Sequence, residues 1–460
     1  MEIVEDSRQD SHFWYSRQSV IMFLAFLLLL VQSMSCLIPP FQSPDEFNHL
    51  KRAYLLSKGD IFLKSKDNLT GGNIDSGLLD YMGYFKTLPF DYNKKITSQN
   101  NSSSKNVVWR GERQFSDLPN TAEYFPLSYM PQALSFIVGE QAGLSVSSTY
   151  YLARLFSLIA TLGLLWAAFT LFPVPLIVLA LFATPMTLFQ LGSASLDSVS
   201  FAMTVLAASL FMRGSDRNYT FSSGMLIALS VCLFALATTR INLIVLTLLP
   251  VVLYSIRGNR SYLIAAIALI FFSLAWIGFV LNTVQGMPTR ELTTIGIIKY
   301  YINDLGSFFH VLFVTLTSAD VLESYWKSYI GILGWQDAPL PHSVYVLFGI
   351  LLFILALISI QRDKARLLDR GSISLTCGAL ASIFLLYVIF LTTWMPHPAK
   401  IILGIQGRYF TPPLILLAFS IFNKNLSGVE RKIGLFIIFV MIACSVASMA
   451  PELLNRYYMG

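Results

Sequence analysis

Long apolar runs separated by short polar or basic connections dominate this chain. Runs of spanning length, roughly 17 to 25 residues, occupy Val20 to Leu37, Tyr150 to Phe172, Ser195 to Met212, Ser222 to Thr239, Asn242 to Ile256, Tyr262 to Leu281, Ser343 to Ile360, Ser372 to Thr393, Tyr409 to Phe422 and Ile433 to Ala450. Each predicts a lipid-crossing helix, because a helix satisfies its own backbone hydrogen bonds in hydrocarbon. Two shorter runs, Leu127 to Gly139 and Pro175 to Phe189, are ambiguous. Arg213 with Arg217, Arg257 with Arg260, Arg362 through Arg370 and Lys424 through Lys432 fill short connections, which the positive-inside rule assigns to the cytoplasm. Counting back from Arg213 puts Asp197 outside, on the same side as the residues after the first span. An even number of crossings separates them, so one of the three candidates between 127 and 189 is short, interfacial or re-entrant. The expectation is an all-α polytopic membrane protein of about eleven spans, N-terminus inside and C-terminus outside. Two large outer segments, residues 38–126 and 282–342, carry amphipathic helices, and no separate soluble domain can be cut from 1–460.

Composition agrees: 55% of 460 residues are hydrophobic, 14% aromatic and only 13% charged, with a mean hydropathy of +0.62. Such a chain cannot fold as a water-soluble globule. The net charge of +6 would hint at nucleic acid in a soluble protein. Here the cations gather in short connections, as membrane orientation demands, and nucleic acid is not an expected partner. Cys36, Cys232, Cys377 and Cys444 all fall in apolar segments without ligand spacing, and read as packing residues. The first apolar run lacks a small-residue cleavage site before Pro39-Pro40 and reads as an anchor.

The strongest local signal follows that anchor, in Ser43-Pro44-Asp45-Glu46-Phe47-Asn48-His49. Ser43 as cap, Pro44 at the first helical position and Glu46 three residues after the cap make a capping-box pattern, predicting a helix to about Gly59. Phe47, Leu50 and Tyr54 share one face; Asp45, His49 and Arg52 share another, as in an amphipathic helix lying on a membrane. Ser-Pro-Asp-Glu is also an ordinary helix start, with carboxylates favoured there by the macrodipole. On that reading Glu46 is the cap and Asp45 is the carboxylate left free.

Other candidates lie at predicted outer helix ends. Asp197 is either a hydrated cap or a functional acid. Arg240, at an outer turn against the orientation trend, suits bidentate phosphate recognition or snorkels. Trp335, in the aromatic stretch Glu323 to Asp337, is a belt residue or a sugar-stacking wall. Arg408 and Tyr409 open a helix from outside, a good phosphate position, with His397 and Lys400 as nearby charge or solvated loop. The polar stretch Thr97 to Asn106 has the composition of a turn or loop. Neither a Walker-type loop nor a zinc-spaced histidine pair is present, so soluble-nucleotide chemistry is not expected.

Taken in order, Pro39 to His49, Tyr124-Phe125-Pro126, Asp197, the Gly331 to Pro341 stretch and Gln406 to Phe410 resemble a bacterial polytopic membrane family of nominally unknown function. That family is generally placed with the GT-C glycosyltransferases, and the resemblance covers about residue 20 to 450. It implies transfer of a sugar from a polyprenyl phosphate outside the bacterial inner membrane, with an acid in the first outer loop (Asp45, Glu46 adjacent) and a second at a later outer helix end (Asp197). Glucosyltransferases that decorate O-antigen in lipopolysaccharide are a neighbouring function. Related enzymes differ in metal dependence; a divalent ion on Asp45, Glu46 and Asp197 is compatible with the chemistry and is left unassigned.

The mechanism expected from an amphipathic substrate puts the lipid tail between spans and the phosphate on Arg408 and Arg240. His49, Arg52, Trp335, Lys400 and Tyr409 complete the substrate-binding set, and Asp45 acts as general base toward a polysaccharide acceptor. A flippase for a lipid-linked saccharide would show inverted repeats and mid-depth charges, which this chain lacks to the eye. A non-catalytic role in polysaccharide assembly is the third reading.

Overall fold

The computed structural model describes residues 16–66, 69–283, 292–360, 367–421, 423 and 426–459. Helix α1 (Arg17–Ser35) opens on Ser16, whose side chain accepts from the Ser19 N–H, and stops ahead of Pro39-Pro40. Val20, Leu24, Leu27 and Val31 form its buried stripe, while Ile21, Met22, Phe26 and Leu29 face outward. Apolar side chains on the outside of a packed bundle match lipid, not water.

The segment after α1 folds into α2 (Glu46–Ser57), β1 (Lys64–Lys66), β2 (Leu69–Asp75), α3 (Ser76–Gly83), α4 (Ser98–Lys105) and β3 (Arg113–Asp117). Its strands make an antiparallel sheet in the order β1-β2-β3, with Gly71 opposite Asp117 and Asp75 opposite Arg113. These short strands are a local addition to an otherwise helical membrane fold, and in a polar segment they leave no apolar periodicity to read. Thr97 to Asn106 is not a loop; Thr97 caps α4 by accepting from the Asn100 N–H. Nor does α2 lie on a membrane surface. It is enclosed by β2 and the helix over Met130–Gln141, with His49, Leu50, Arg52, Ala53, Tyr54 and Leu55 all buried. Its polar face is matched by carbonyls and carboxylates of the protein, which the periodicity cannot distinguish from water.

The chain continues through α5 (Met130–Gln141), α6 (Val146–Leu171), α7 (Leu176–Phe182), α8 (Pro185–Leu191), α9 (Asp197–Ser215), α10 (Ser223–Thr239), α11 (Leu249–Arg257), α12 (Arg260–Thr283), α13 (Thr294–Asn303), α14 (Leu305–Thr317) and α15 (Ala319–Gly331). A two-stranded hairpin, β4 (Ile332–Leu333) with β5 (Ala338–Pro339), leads into α16 (His342–Ser359), α17 (Arg370–Thr393), α18 (Thr411–Ser420) and α19 (Gly428–Tyr457). Among the described residues seven helices are long and apolar enough to cross a membrane, namely α1, α6, α9, α12, α16, α17 and α19. The pair α14 and α15, bent by 63°, would make eight.

The expected eleven is not reached by such helices among the described residues, because an apolar run need not be one straight helix. Pro185 divides the run Pro175 to Phe189 into α7 and α8, a broken pair. The run from Asn242 starts as a 3₁₀ turn over Ile241–Leu248 before Pro250 opens α11. The run from Tyr409 becomes a 3₁₀ turn, Gly407–Phe410, followed by the ten-residue α18. Conversely, the second outer segment, read as a loop, contains the apolar pair α14 and α15. Residues 284–291 of that segment, and 361–366 and 424–425 of two basic connections, lie outside the described residues.

Helix α9 is the axis of the fold: 89% of its apolar window is buried, and α6, α8, α10, α11, α17 and α18 pack around it. Asp197 stands at its start. At its other end Arg213 donates to the Leu171 carbonyl at 2.8 Å, Arg257 to Gly214 at 2.6 Å and Arg370 to Ser255 at 2.8 Å. Three of the basic connections thus meet at the end of α9 remote from Asp197.

Candidate functional site

The 3₁₀ turn before α18 is seated by Gly407, whose N–H donates to Ser328 Oγ at 2.8 Å and which lies flat on α15. A side chain there would collide with the Tyr329 backbone. Seated in this way, the turn aims Arg408 into the bundle, where its side chain is 2% exposed. Nη1 donates to Asp197 Oδ2 at 2.7 Å and Nη2 to Asp45 Oδ2 at 2.9 Å. Arg240, at the point where α10 ends, pairs with the other oxygen of Asp197 and donates to Ser200 Oγ at 3.3 Å. Both guanidiniums lie over the Tyr409 ring, at 5.1 Å for Arg408 and 5.6 Å for Arg240. Two carboxylates and two guanidiniums make an internally neutral quartet. Buried charges persist only when paired in this fashion.

The backbone delivers Asp45 to this quartet by an unusual route. Helix α2 starts at Glu46, later than the capping-box pattern predicts, and Asp45 sits at the cap position with a left-handed φ of 64° and no capping hydrogen bond. Only half of the box forms: Glu46 Oε2 accepts from the Ser43 N–H at 3.3 Å, whereas Ser43 Oγ turns to Gln190 Oε1 at 3.0 Å. The Asp45 carboxylate is left to face inward, accepting from Asn120 Nδ2 at 2.5 Å. Asn120 in turn accepts from Asn48 Nδ2. At 25% exposure Asp45 is the most accessible member of the quartet. Left-handed φ in a non-glycine residue costs of order 1 kcal/mol. Among the described residues it occurs at Phe41, Asp45, Phe90 and Gln336, and three of the four line one cleft.

That cleft has a volume of about 690 Å³. Asp45, His49, Asn120, Glu123, Arg240 and Asn242 line its polar part; Leu386, Ile389, Phe390, Trp394 and Leu403 line an apolar part. Trp335 also borders it, its indole N–H held by the Phe41 carbonyl at 3.0 Å, as does Tyr409.

Of the residues proposed from sequence, Asp45, Asp197, Arg240, Arg408 and Tyr409 come together, with His49 and Trp335 on the cleft wall. Three do not. Glu46 is completely buried on the far side of its helix turn, accepting from Tyr150 Oη at 2.9 Å, the Ala194 N–H at 2.8 Å and Arg154 Nε at 3.4 Å. Arg52 spends its guanidinium on the Asp60 and Ile61 carbonyls, at 3.1 and 2.8 Å. Lys400 is exposed and is not among the lining residues. Among the described residues no group of three His, Cys, Asp or Glu side chains comes together as a metal site; Glu46 turns away from Asp45 and Asp197 toward Arg154.

His49 contributes no charge. Burial outweighs the pull of Asp45 and Asp197 and drops its pKa to about 4, against 6.5 when free, while Nδ1 bonds Tyr129 Oη at 2.7 Å. Between these values the unfolded chain binds the proton and the folded one does not, so stability falls as pH drops from 6.5 toward 4. The contribution is about 3 kcal/mol. His49→Gln is expected to remove that part of the acid sensitivity, measured as the difference in Tm between neutral and mildly acidic buffer. Identical acid slopes for the two proteins would refute the assignment.

Sequence reasoning missed Asn120, Glu123 and Arg154. Asn120 and Glu123 stand within six residues of the Tyr124-Phe125-Pro126 motif, a proximity that was available as a signal. Arg154 lies inside an apolar run where a single cation reads as a span interruption.

No curated protein matches the chain, and no solved structure matches it. A family model described as predicted membrane protein (DUF2142) matches residues 27–417. The matched stretch runs from α1 through α18, carrying every member of the quartet, and the chain belongs to that membrane protein family.

Proposed function

We propose that this protein is a membrane glycosyltransferase of GT-C type, moving a sugar from a polyprenyl-phosphate donor to an extracytoplasmic acceptor such as O-antigen or another cell-surface polysaccharide. One observation carries the reading: Asp45 shares the buried Arg408 guanidinium with Asp197 at the wall of a cleft that is polar in one part and apolar in another. An isoprenoid tail matches Leu386, Ile389, Phe390 and Leu403, and a hydroxylated ring matches Asn120, Glu123 and Asn242.

Because the quartet is neutral, an incoming phosphate diester is held well only if it takes a carboxylate's place on an arginine. Asp45 is the carboxylate to yield, being the more exposed and held by one arginine where Asp197 is held by two. Donor binding then frees the base. Asp45 takes the proton of the acceptor hydroxyl, whose oxygen attacks the anomeric carbon. The bond from that carbon to the phosphate oxygen breaks with its electron pair, and Arg408 and Arg240 stabilise the charge left on the phosphate. A single displacement inverts the anomeric configuration.

Asp45→Asn tests this cleanly, since asparagine tolerates left-handed φ and preserves the backbone. The variant is expected to keep its Tm within a few degrees and to lose at least about a hundredfold in turnover of polyprenyl-phosphate sugar, read as release of polyprenyl phosphate. Undiminished turnover would remove Asp45 from the chemistry.

A further inference from the structure

Two carboxyl groups line the cleft: Asp45 belongs to the quartet, and Glu123 has no charge partner among the described residues. Its backbone is clamped. Its carbonyl accepts from Trp276 Nε1 at 2.9 Å, and the Phe125 N–H donates to the Thr238 carbonyl at 3.3 Å. The Phe125 ring stands edge-on to Trp276 and Phe234, at 4.8 and 4.9 Å. Residues 123–125 are thereby fixed against α10 and α12, and the Glu123 side chain lines the same cleft as Asp45, Asn120 and Arg240.

Among the described residues no hydrogen bond or ion pair engages the Glu123 carboxyl, and burial alone pushes its pKa up to about 7. The other titratable groups lining the cleft are Asp45, His49, Tyr124, Arg240 and Tyr409, with Asp197 and Arg408 behind them. A half-buried polar group without a protein partner is only partly hydrated, at a cost in free energy, and one held rigidly at a cleft wall recovers that cost from a ligand. Near neutral pH this acid carries its proton part of the time, so it both donates and accepts. Vicinal hydroxyls of a sugar ring do the same. An anionic ligand is not repelled while the proton is on, which is compatible with a phosphate on the arginines nearby.

We propose that Glu123 is the sugar-reading residue of the cleft, hydrogen-bonded to ring hydroxyls of the glycosyl group whose phosphate is held by Arg240 and Arg408. The inference rests on the donor class proposed above. It assigns Glu123 to the donor's sugar and not to the acceptor, so the contact is present before any acceptor arrives.

The test uses the purified full-length chain, as wild type, Glu123→Gln and Glu123→Ala, titrated separately with undecaprenyl phosphate and with its glucosyl, galactosyl, mannosyl and N-acetylglucosaminyl esters. All three proteins are expected to bind bare undecaprenyl phosphate alike. At least one glycosylated lipid should bind wild type more tightly than the bare lipid. Glu123→Ala should lose that preference by about tenfold, and Glu123→Gln, which keeps a donor and an acceptor, should retain part of it. Unchanged sugar preference in both variants, or no preference in wild type, overturns the role of Glu123 and leaves the donor class standing. Failure of wild type to bind any of these lipids overturns the donor class, and this inference with it.

Discussion

Arg408→Met is expected to cost both the fold and the chemistry. The side chain is 2% exposed and bridges Asp45 and Asp197. Removing its charge strands Asp45 with asparagine contacts alone and leaves Arg240 to neutralise Asp197. Breaking a buried pair in this way costs about 3 to 5 kcal/mol, which should appear as a large drop in Tm and in the yield of folded protein in detergent. Arg408→Lys separates charge from geometry. An ammonium keeps the positive charge but concentrates its donors on one nitrogen, without the planar fork that reaches Asp197 through Nη1 and Asp45 through Nη2, so the lysine protein should fold and still lose most of its turnover. Combining Arg408→Met with Asp197→Asn should destabilise less than the sum of the two single changes, because each alone leaves the other's charge uncompensated. Strict additivity would mean that the bridge is not an energetic unit.

The second large effect lies at Glu46, and it separates structure from chemistry. Glu46 is 0% exposed and receives Arg154, Tyr150 and the Ala194 N–H, while Arg154 itself, 2% exposed, reaches the Ser35, Ile38 and Pro39 carbonyls at 3.1, 2.8 and 2.9 Å. This knot fastens the end of α1, the start of α2 and the turn before α9 to one another. Glu46→Ala leaves a buried guanidinium without its carboxylate and should lose about 3 to 5 kcal/mol. Protein that does fold should bind polyprenyl phosphate with unchanged affinity, because Glu46 does not face the cleft. Measured together, Tm should collapse while Kd holds. A variant of normal Tm that has lost ligand binding would show the opposite arrangement of roles.

The neighbouring acids Asp45 and Glu46 thus have separate jobs, and the sequence carried a partial signal for this. The capping pattern implied that one carboxylate would be consumed locally and the other left free. What it could not contain was the left-handed turn at Asp45 or the distant partners Arg154 and Arg408, since both depend on tertiary packing. Arg408, Arg240 and Asp197 were legible individually because polar residues at the ends of apolar runs stand out. Their assembly into one quartet was not, as nothing in hydropathy reports which helix ends meet. Arg52 shows the limit from the other side: it shares a helical face with Asp45 and His49, yet its length carries its charge past the cleft to loop carbonyls. The membrane class followed directly from composition. The number of spans did not, because proline breaks runs such as Pro175 to Phe189 in ways that mean hydropathy averages over.

The cleft also explains why its lining was hard to foresee. Asn120 and Glu123 come from the segment between α1 and α5, Asn242 follows α10, Trp335 sits in the β4–β5 hairpin, and Leu386 and Phe390 lie in the second half of α17. Each is unremarkable alone. They acquire meaning from a backbone strained at Asp45, Phe90 and Gln336 around one space, and strain of that kind is retained where a site needs it.

Transfer in this cleft of a sugar carried on a polyprenyl phosphate would leave its mark on the cell surface. The most direct measurement is the mass of the cell-surface polysaccharide from cells lacking the chain, restored either with wild type or with Asp45→Asn. A hexose or pentose increment present with wild type, and missing both from the deletion and from the Asp45→Asn strain, is the predicted result; identical masses in all three would contradict it.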